Sequence, residues 1–238
     1  MGGQIVQHKT CYYKSIAKEY FISFYQTVKS NYSYKNFIIE VSVSKCGESE
    51  TKGGYITVTT AGNICFSNNN ITNNKCSYFS SHYSVVDLNS STFKFSTFRE
   101  NNQTDSRSLC FNSFSKPLYQ TVSYCNVIGN KCGTDNNQVL FNCQYKTYVD
   151  HCIFRNNTAK YMFRQEHQGY TLTISDSYVE SNSATGVIVT FTNLKENYDF
   201  NHFSHFYKDN CLVDQKVISN THKIAPYHIP DHYHPRRR

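Results

Sequence analysis

One short pattern recurs along this chain: an apolar residue, two variable residues, then asparagine. It stands at Ile71–Asn74, Phe98–Asn101, Val127–Asn130, Phe154–Asn157 and Val179–Asn182, and a sixth copy, Phe206–Asp209, ends in aspartate. The apolar anchors are 27, 29, 27, 25 and 27 residues apart. A weaker copy lies 28 residues upstream of Ile71, at Val43, with Cys46 in the asparagine place. Two more columns keep the register. Five residues before the anchors stand Phe66, Phe93, Val122, Val149 and Ile174; two before them stand Asn69, Ser96, Cys125, Cys152, Ser177 and Ser204.

A unit of this length cannot bury its apolar side alone, but stacked copies build a continuous core. The pattern therefore predicts an all-β fold, a right-handed parallel β-helix solenoid of about six or seven coils, since parallel crossovers are overwhelmingly right-handed. Each anchor and the residue two before it fall on one strand face and point inward. The asparagine closes the strand, where it tolerates a left-handed turn and can bond from coil to coil. Residues 1–34 lack the period and are expected as an N-terminal cap, residues 35–220 as the solenoid, and residues 221–238 as a tail. That tail holds Pro226, Pro230 and Pro235, four histidines and three arginines.

Composition fits thin coils. Hydrophobic residues make up 39% and charged ones 17%, with turn formers and 20 tyrosines filling the difference. The same asparagine- and tyrosine-rich composition occurs in disordered, aggregation-prone chains; three columns in register decide for the solenoid. The formal net charge is +7, of which residues 1–57 carry +3 and residues 221–238 another +3. The body has no basic stripe, so no nucleic-acid partner is expected. Met1–Thr10 contains no signal-peptide core, Val6 departs from the myristoylation pattern, and no window reaches the ~18 apolar residues of a membrane span. No address is readable from the sequence. Sequons begin at Asn31, Asn70, Asn89, Asn102 and Asn156, a number that chance alone supplies in so Asn- and Ser-rich a chain.

On these residues the chain resembles the right-handed parallel β-helix proteins of the pectin-lyase-like group. More narrowly, it resembles polymorphic outer-membrane-protein-type surface repeats, known for Phe-x-x-Asn and Gly-Gly-Ala-Ile elements. Phe98–Asn101, Phe154–Asn157 and Phe66–Asn69 match the first, and Gly53-Gly54-Tyr55-Ile56 matches the second in part. The resemblance spans about residues 37–215. It implies a cell-surface or secreted protein with an adhesin-like role, although a signal peptide, an anchor and a translocation domain are not seen in this sequence.

Of the ten cysteines, Cys125 and Cys152 fall in the same inward slot on successive coils. With α-carbons ~5 Å apart they could form a disulfide, or serve as a buried stack of free thiols. Cys76 and Cys132 are also equivalent but two coils apart, too far to bond. There is no Cys-x-x-Cys pair, and the histidines of a proline-broken tail cannot be pre-organised, so neither a metal site nor a cofactor is expected. Charges also stack: Asp176 lies one coil beyond His151, and Glu180 one coil beyond Arg155, the geometry of surface ion pairs. The β-helix resemblance offers a catalytic alternative, a polysaccharide lyase or glycoside hydrolase, for which Asp150, His151, Arg155 and Asp176 are the nominees. Against it, the Asn-Thr-Asp, Asp-Asp and Arg-Ile-Lys signatures of the pectin-hydrolysing relatives are missing. The leading expectation is a non-enzymatic surface or interaction protein presenting a polar, aromatic-studded β-helix face to a protein or glycan ligand. Its open solenoid ends also allow end-to-end self-association.

Overall fold

The structure, a computed structural model, describes residues 3–203 apart from 18–19, 32, 88–89, 114–118, 134 and 136–137. The sixth repeat copy, Phe206–Asp209, Ser204 and the 221–238 tail lie outside the described residues.

The chain winds through seven three-strand coils. The first holds β1 (Ile5–His8), β2 (Cys11–Tyr13) and β3 (Phe21–Thr27), and the second β4 (Lys35–Ile39), β5 (Ser42–Ser44) and β6 (Tyr55–Thr60). The third holds β7 (Asn63–Ser67), β8 (Asn70–Thr72) and β9 (Phe79–Val86); the fourth, β10 (Ser91–Lys94), β11 (Thr97–Arg99) and β12 (Arg107–Ser113). Next come β13 (Gln120–Ser123), β14 (Asn126–Ile128) and β15 (Val139–Cys143), then β16 (Thr147–Asp150), β17 (Ile153–Arg155) and β18 (Tyr161–Gln165). The last coil is β19 (Thr171–Ser175), β20 (Tyr178–Val179) and β21 (Ala184–Gly186), and β22 (Ile188–Thr192) follows it. Equivalent strands pair in parallel into three sheets of eight, seven and seven strands. We call them sheets A (β1 to β22), B (β2 to β20) and C (β3 to β21). The fold is an all-β parallel solenoid, with no helix among the described residues. Seven turns at ~4.8 Å separate its ends by roughly 34 Å.

The repeat columns become physical columns. The anchors Val43, Ile71, Phe98, Val127, Phe154 and Val179 pair in succession along sheet B. The residues five before them, Phe66 to Ile174, pair along sheet A, which Ile38 extends at one end and Phe191 at the other. Both columns are buried up to Ile174, and Leu109, Phe111, Phe141 and Phe163 meet them from sheet C. Sheet A alternates as a half-buried strand must: in β7, Ile64 and Phe66 are buried while Asn63 is exposed. Fully burying each such side chain contributes about 1.5–3 kcal/mol.

The corners differ from the expectation. The residue two before the anchor is buried, but it precedes the sheet-B strand instead of sharing its face. The residue before it turns the chain with a left-handed backbone: Glu40, Asn68, Phe95, Tyr124, His151 and Asp176 all have φ between 47° and 56°. That turn strands the next backbone N–H, and the slot residue of the following coil accepts it. Val41 N donates to Asn69 Oδ1 (2.8 Å), Asn69 N to Ser96 Oγ (3.1 Å), and Cys152 N to Ser177 Oγ (2.9 Å). The slot therefore needs a small acceptor, which explains why asparagine, serine and cysteine fill it.

At the other corner the left-handed residue is two after the anchor, not three: Lys45, Asn73, Glu100, Gly129 and Asn156. Such a conformation costs a non-glycine residue about 1–2 kcal/mol, and Gly129 avoids that cost. The asparagine at plus three points inward and forms a ladder. Asn74 Nδ2 donates to Asn101 Oδ1 (2.9 Å), Asn101 Nδ2 to Asn130 Oδ1 (3.1 Å), and Asn130 Nδ2 to Asn157 Oδ1 (3.0 Å). Cys46 heads the ladder, its N–H on Asn74 Oδ1 (2.9 Å). Asn182 is exposed and lies off it.

A separate N-terminal cap is not seen among the described residues of 1–34. Residues 5–27 are a coil whose strands pair with β4, β5 and β6. In sheets A and B its inward positions are polar where the next coils are apolar, Gln7 pairing with Ile38 and Tyr12 with Val43, while Ile22 and Phe24 of β3 join the core. Gln26 Nε2 donates to Asn36 Oδ1 (2.7 Å), and Tyr12 Oη donates to Gln7 Oε1 (3.2 Å). At the far end the chain turns at Asn193 and runs back as a strap. Tyr198 meets Tyr178, Asn201 Nδ2 donates to His151 O (2.7 Å), and Phe203 reaches Phe95 three coils away from Asp176.

Candidate functional site

The four nominees gather near the corner between sheets A and B. His151 Nδ1 lies 2.7 Å from Asp150 Oδ2, and Ser175 Oγ donates to Asp150 Oδ1 at 3.1 Å. The ring of Tyr124 stacks on His151 at 4.9 Å. Serine, aspartate and histidine thus meet, but in an order unlike a nucleophilic triad. There histidine sits between the other two and takes the serine proton; here the carboxylate sits between. Asp176 is bound by Lys195 Nζ (3.0 Å) and by the Asn193 amide. The Lys195 hydrogen bond holds its carboxyl below the usual range. Asp176 is therefore an anion, the opposite of the raised general acid that glycoside hydrolysis requires. Arg155 is spent elsewhere, its guanidinium 3.8 Å from the centre of the Tyr198 ring. The stacked charges expected from the register are not in direct contact: Asp176 takes Lys195, with His151 acting on it at longer range, and Glu180 accepts the backbone N–H of Asn156.

Cys125 and Cys152 stack as expected, and both are free thiols. The Cys125 N–H donates to Cys152 Sγ at 3.3 Å, so these sulfurs act as slot acceptors. Burial pushes the Cys152 thiol well up, and the thiols of Cys76, Cys110, Cys132 and Cys143 up to about 12. None has the lowered pKa of a nucleophile.

His82 is fully buried against Phe66 and Phe93. Thr57 Oγ1 donates to Ser81 O (2.8 Å), so it accepts from His82 Nδ1–H (2.7 Å), which leaves Nε2 to accept from Thr59 Oγ1 (3.0 Å). Both ring nitrogens are satisfied in the neutral form, and burial holds the pKa down to about 3. Among the described residues no group of three His, Cys, Asp or Glu side chains is placed to hold a metal ion. No helix among them is long and apolar enough to cross a membrane.

An extended surface feature is one the repeat gave no hint of. On the outer face of sheet C, Phe21, Tyr55 and Phe79 fall in one register column, and Tyr25, Val58 and Tyr83 in the next. Their rings touch: Phe21–Tyr25 at 4.6 Å, Phe21–Tyr55 at 5.5 Å, Tyr55–Phe79 at 5.0 Å and Phe79–Tyr83 at 4.7 Å between centroids. Tyr20 and Tyr78 extend the group to seven rings over three coils. Tyr20, Phe21, Tyr25 and Tyr78 are each about half exposed or more (66%, 45%, 47% and 49%). Farther along the same face the character changes. Arg107 pairs with Glu166, which also takes Arg164 (3.7 Å) and the Gln144 amide (2.7 Å).

The chain matches no family model, no curated protein and no solved structure. The likeness to β-helix proteins therefore stands at the level of the parallel solenoid and its coil repeat.

Proposed function

We propose that the chain is a non-enzymatic interaction protein, and that its ligand-contacting surface is the aromatic half of the outer face of sheet C. The observation that carries the reading is the continuous set of seven rings, four of them substantially exposed. Tyrosine gives large, rigid contact area at low entropy cost together with a hydroxyl that bonds. A rigid solenoid holds these rings in place before any ligand arrives, which lowers the cost of binding. The ligand is a protein or a glycan, and the adhesin-like, cell-surface setting implied by the repeat resemblance suits either.

The test is a panel of proteins and neutral and acidic glycans, screened against wild type and a Tyr25→Ser, Tyr78→Ser double variant. The expected result is a ligand bound by wild type, recovered unchanged, and lost with the double variant. A ligand bound equally by both proteins would remove sheet C from the account. The catalytic alternative is tested in the same samples. New reducing or unsaturated ends from polyuronate, abolished by Asp150→Ala or Asp176→Ala, would replace the binding reading with a lyase or hydrolase.

A further inference from the structure

Sheet A ends on a strand whose far side is open. Among the described residues β22 pairs with β19 alone. Thr192 O accepts from the Asp176 N–H (3.2 Å), so Thr190 and Thr192 turn their backbone groups toward β19. By alternation Val189 and Phe191 turn theirs to the open side. Natural sheets block such an edge with charge, proline or a bulge. The sequence of β22, Ile-Val-Thr-Phe-Thr, contains neither charge nor proline, and its register with β19 is unbroken.

The core is also unfinished at this strand. Leu172 and Ile174 of β19 are fully buried, whereas Val189 and Phe191, next in the same two columns, are only half-buried. Phe191 packs on Phe163 (5.6 Å between centroids), and no coil follows it among the described residues. Val187 and Ile188 beside it are 42% and 46% exposed. Beyond Thr192 the strap crosses the end of the solenoid, where the Lys195 N–H donates to Ser177 O (2.9 Å) and covers the sheet-B corner. The strap is acidic there. Its Lys195 side chain is bound to Asp176 (3.0 Å), which leaves Glu196 and Asp199 without a lysine or arginine partner among the described residues.

We propose that the open edge of β22 docks an extended segment of a partner protein as an added parallel strand. The chemistry of that segment follows from the columns. Two apolar residues separated by one fall above Val189 and Phe191 and complete the core, as each coil does for the one beneath it. The intervening residues turn their N–H and C=O to the free groups of β22, which is strand addition. Running parallel to β22, the segment leaves over the strap, so basic residues follow the apolar pair and meet Glu196 and Asp199. A single strand is the occupant that fits. The sheet-B end beside β22 is already covered by the strap, a step on which another solenoid end would not seat flat. The edge lies at the opposite end of the solenoid from the rings of sheet C, so the two surfaces are independent.

The probe is a labelled peptide, Val-Thr-Ile-Thr-Lys-Lys-Lys, titrated with the full chain and followed by fluorescence anisotropy and amide exchange. The expected result is saturable binding that weakens in high salt, where charge attraction is screened, with slowed exchange at Val189 and Phe191. The same peptide N-methylated on both threonines should not bind, and one with glutamate in place of lysine should bind about tenfold more weakly or less. Val189→Pro removes one N–H from the open side and leaves the β19 ladder intact, a change that edge strands tolerate. It should weaken binding about tenfold, as should Glu196→Lys combined with Asp199→Lys. Tyr25→Ser with Tyr78→Ser should leave the affinity unchanged. If Val189→Pro does not fold, the N-methylated peptide and the wild-type exchange carry the test. No binding by wild type, equal binding of the N-methylated or the acidic peptide, full affinity in a folded Val189→Pro, loss with the Tyr25, Tyr78 variant, or protection outside residues 187–192 would each overturn the proposal.

Discussion

Removing Asn101 should cost far more than removing Asn182, although both hold the same place in the repeat. Asn101 Oδ1 accepts from the Asn74 backbone N–H (3.1 Å) and the Asn74 amide (2.9 Å). Its own amide donates to Ile71 O (2.8 Å), Ser81 Oγ (3.1 Å) and Asn130 Oδ1 (3.1 Å). All of this is buried. In Asn101→Ala the Asn74 N–H and the Ile71 carbonyl lose these partners away from water, at about 1–3 kcal/mol per orphaned group. The expected loss is therefore about 3 kcal/mol or more. Asn182 is exposed and off the ladder, so Asn182→Ala should stay within about 0.5 kcal/mol of wild type. The assay is equilibrium urea unfolding followed by tyrosine fluorescence, suited to a chain with 20 tyrosines and no tryptophan. With a slope of about 1–3 kcal/mol per molar urea, the Asn101 variant should lose about 1 M or more from its midpoint. Equal midpoints for the two variants would refute the ladder as a stabilising element.

Other consequences follow from buried groups and from the strap. Burial holds His82 at about 3, below its ordinary 6.5. Between those values the unfolded chain binds a proton that the folded chain does not, so stability should fall as the pH is lowered, by up to about 1.4 kcal/mol per unit. Stability measured from pH 7 to 4 should be flatter in His82→Gln, and an unchanged slope would contradict the assignment. Among the free thiols of the described residues, only Cys65 is not buried. Mass spectrometry after brief alkylation of the native protein should find Cys65 labelled well before Cys125 or Cys152; fast labelling of either would argue against the buried stack. Tyr198→Ala removes the ring under Arg155 and its contact with Tyr178. Its expected cost is about 1–2 kcal/mol, with faster amide exchange along residues 193–203, and unaltered exchange there would mean the strap is held by other contacts.

Much of the fold was legible because inward positions of a parallel solenoid face the same surroundings in every coil. Ile71, Phe98, Val127 and Phe154 show it in sheet B, and even the weak copy at Val43 pairs in its column. Coil one was not legible, since Gln7 and Tyr12 stand where Ile38 and Val43 carry the apolar columns of later coils. The shortening of the last coil was not legible for another reason: Phe191, only 17 residues after Ile174, takes the next sheet-A place, a spacing well below that of the repeat. Corner logic stayed hidden because left-handed turns are taken here by Lys45, Glu100, Phe95 and His151, residues without glycine's signature. The candidate surface was harder still. Outward positions feel no common core, and sheet C carries bulges near Phe21, Tyr55 and Phe79 that shift its register. The general expectation of an aromatic-studded face was available from composition, but its location was not. The nominees Asp150, His151, Arg155 and Asp176 do lie close together, yet their partners Ser175, Lys195 and Tyr198 come from later coils and the strap.

Hydrogen–deuterium exchange of the chain with and without a ligand recovered from the panel tests the central claim most directly. The account predicts new protection over residues 20–25, 55–60 and 78–83 of sheet C, with exchange over residues 147–155 and 171–176 unchanged. Protection confined to the Asp150–His151–Asp176 corner would contradict it.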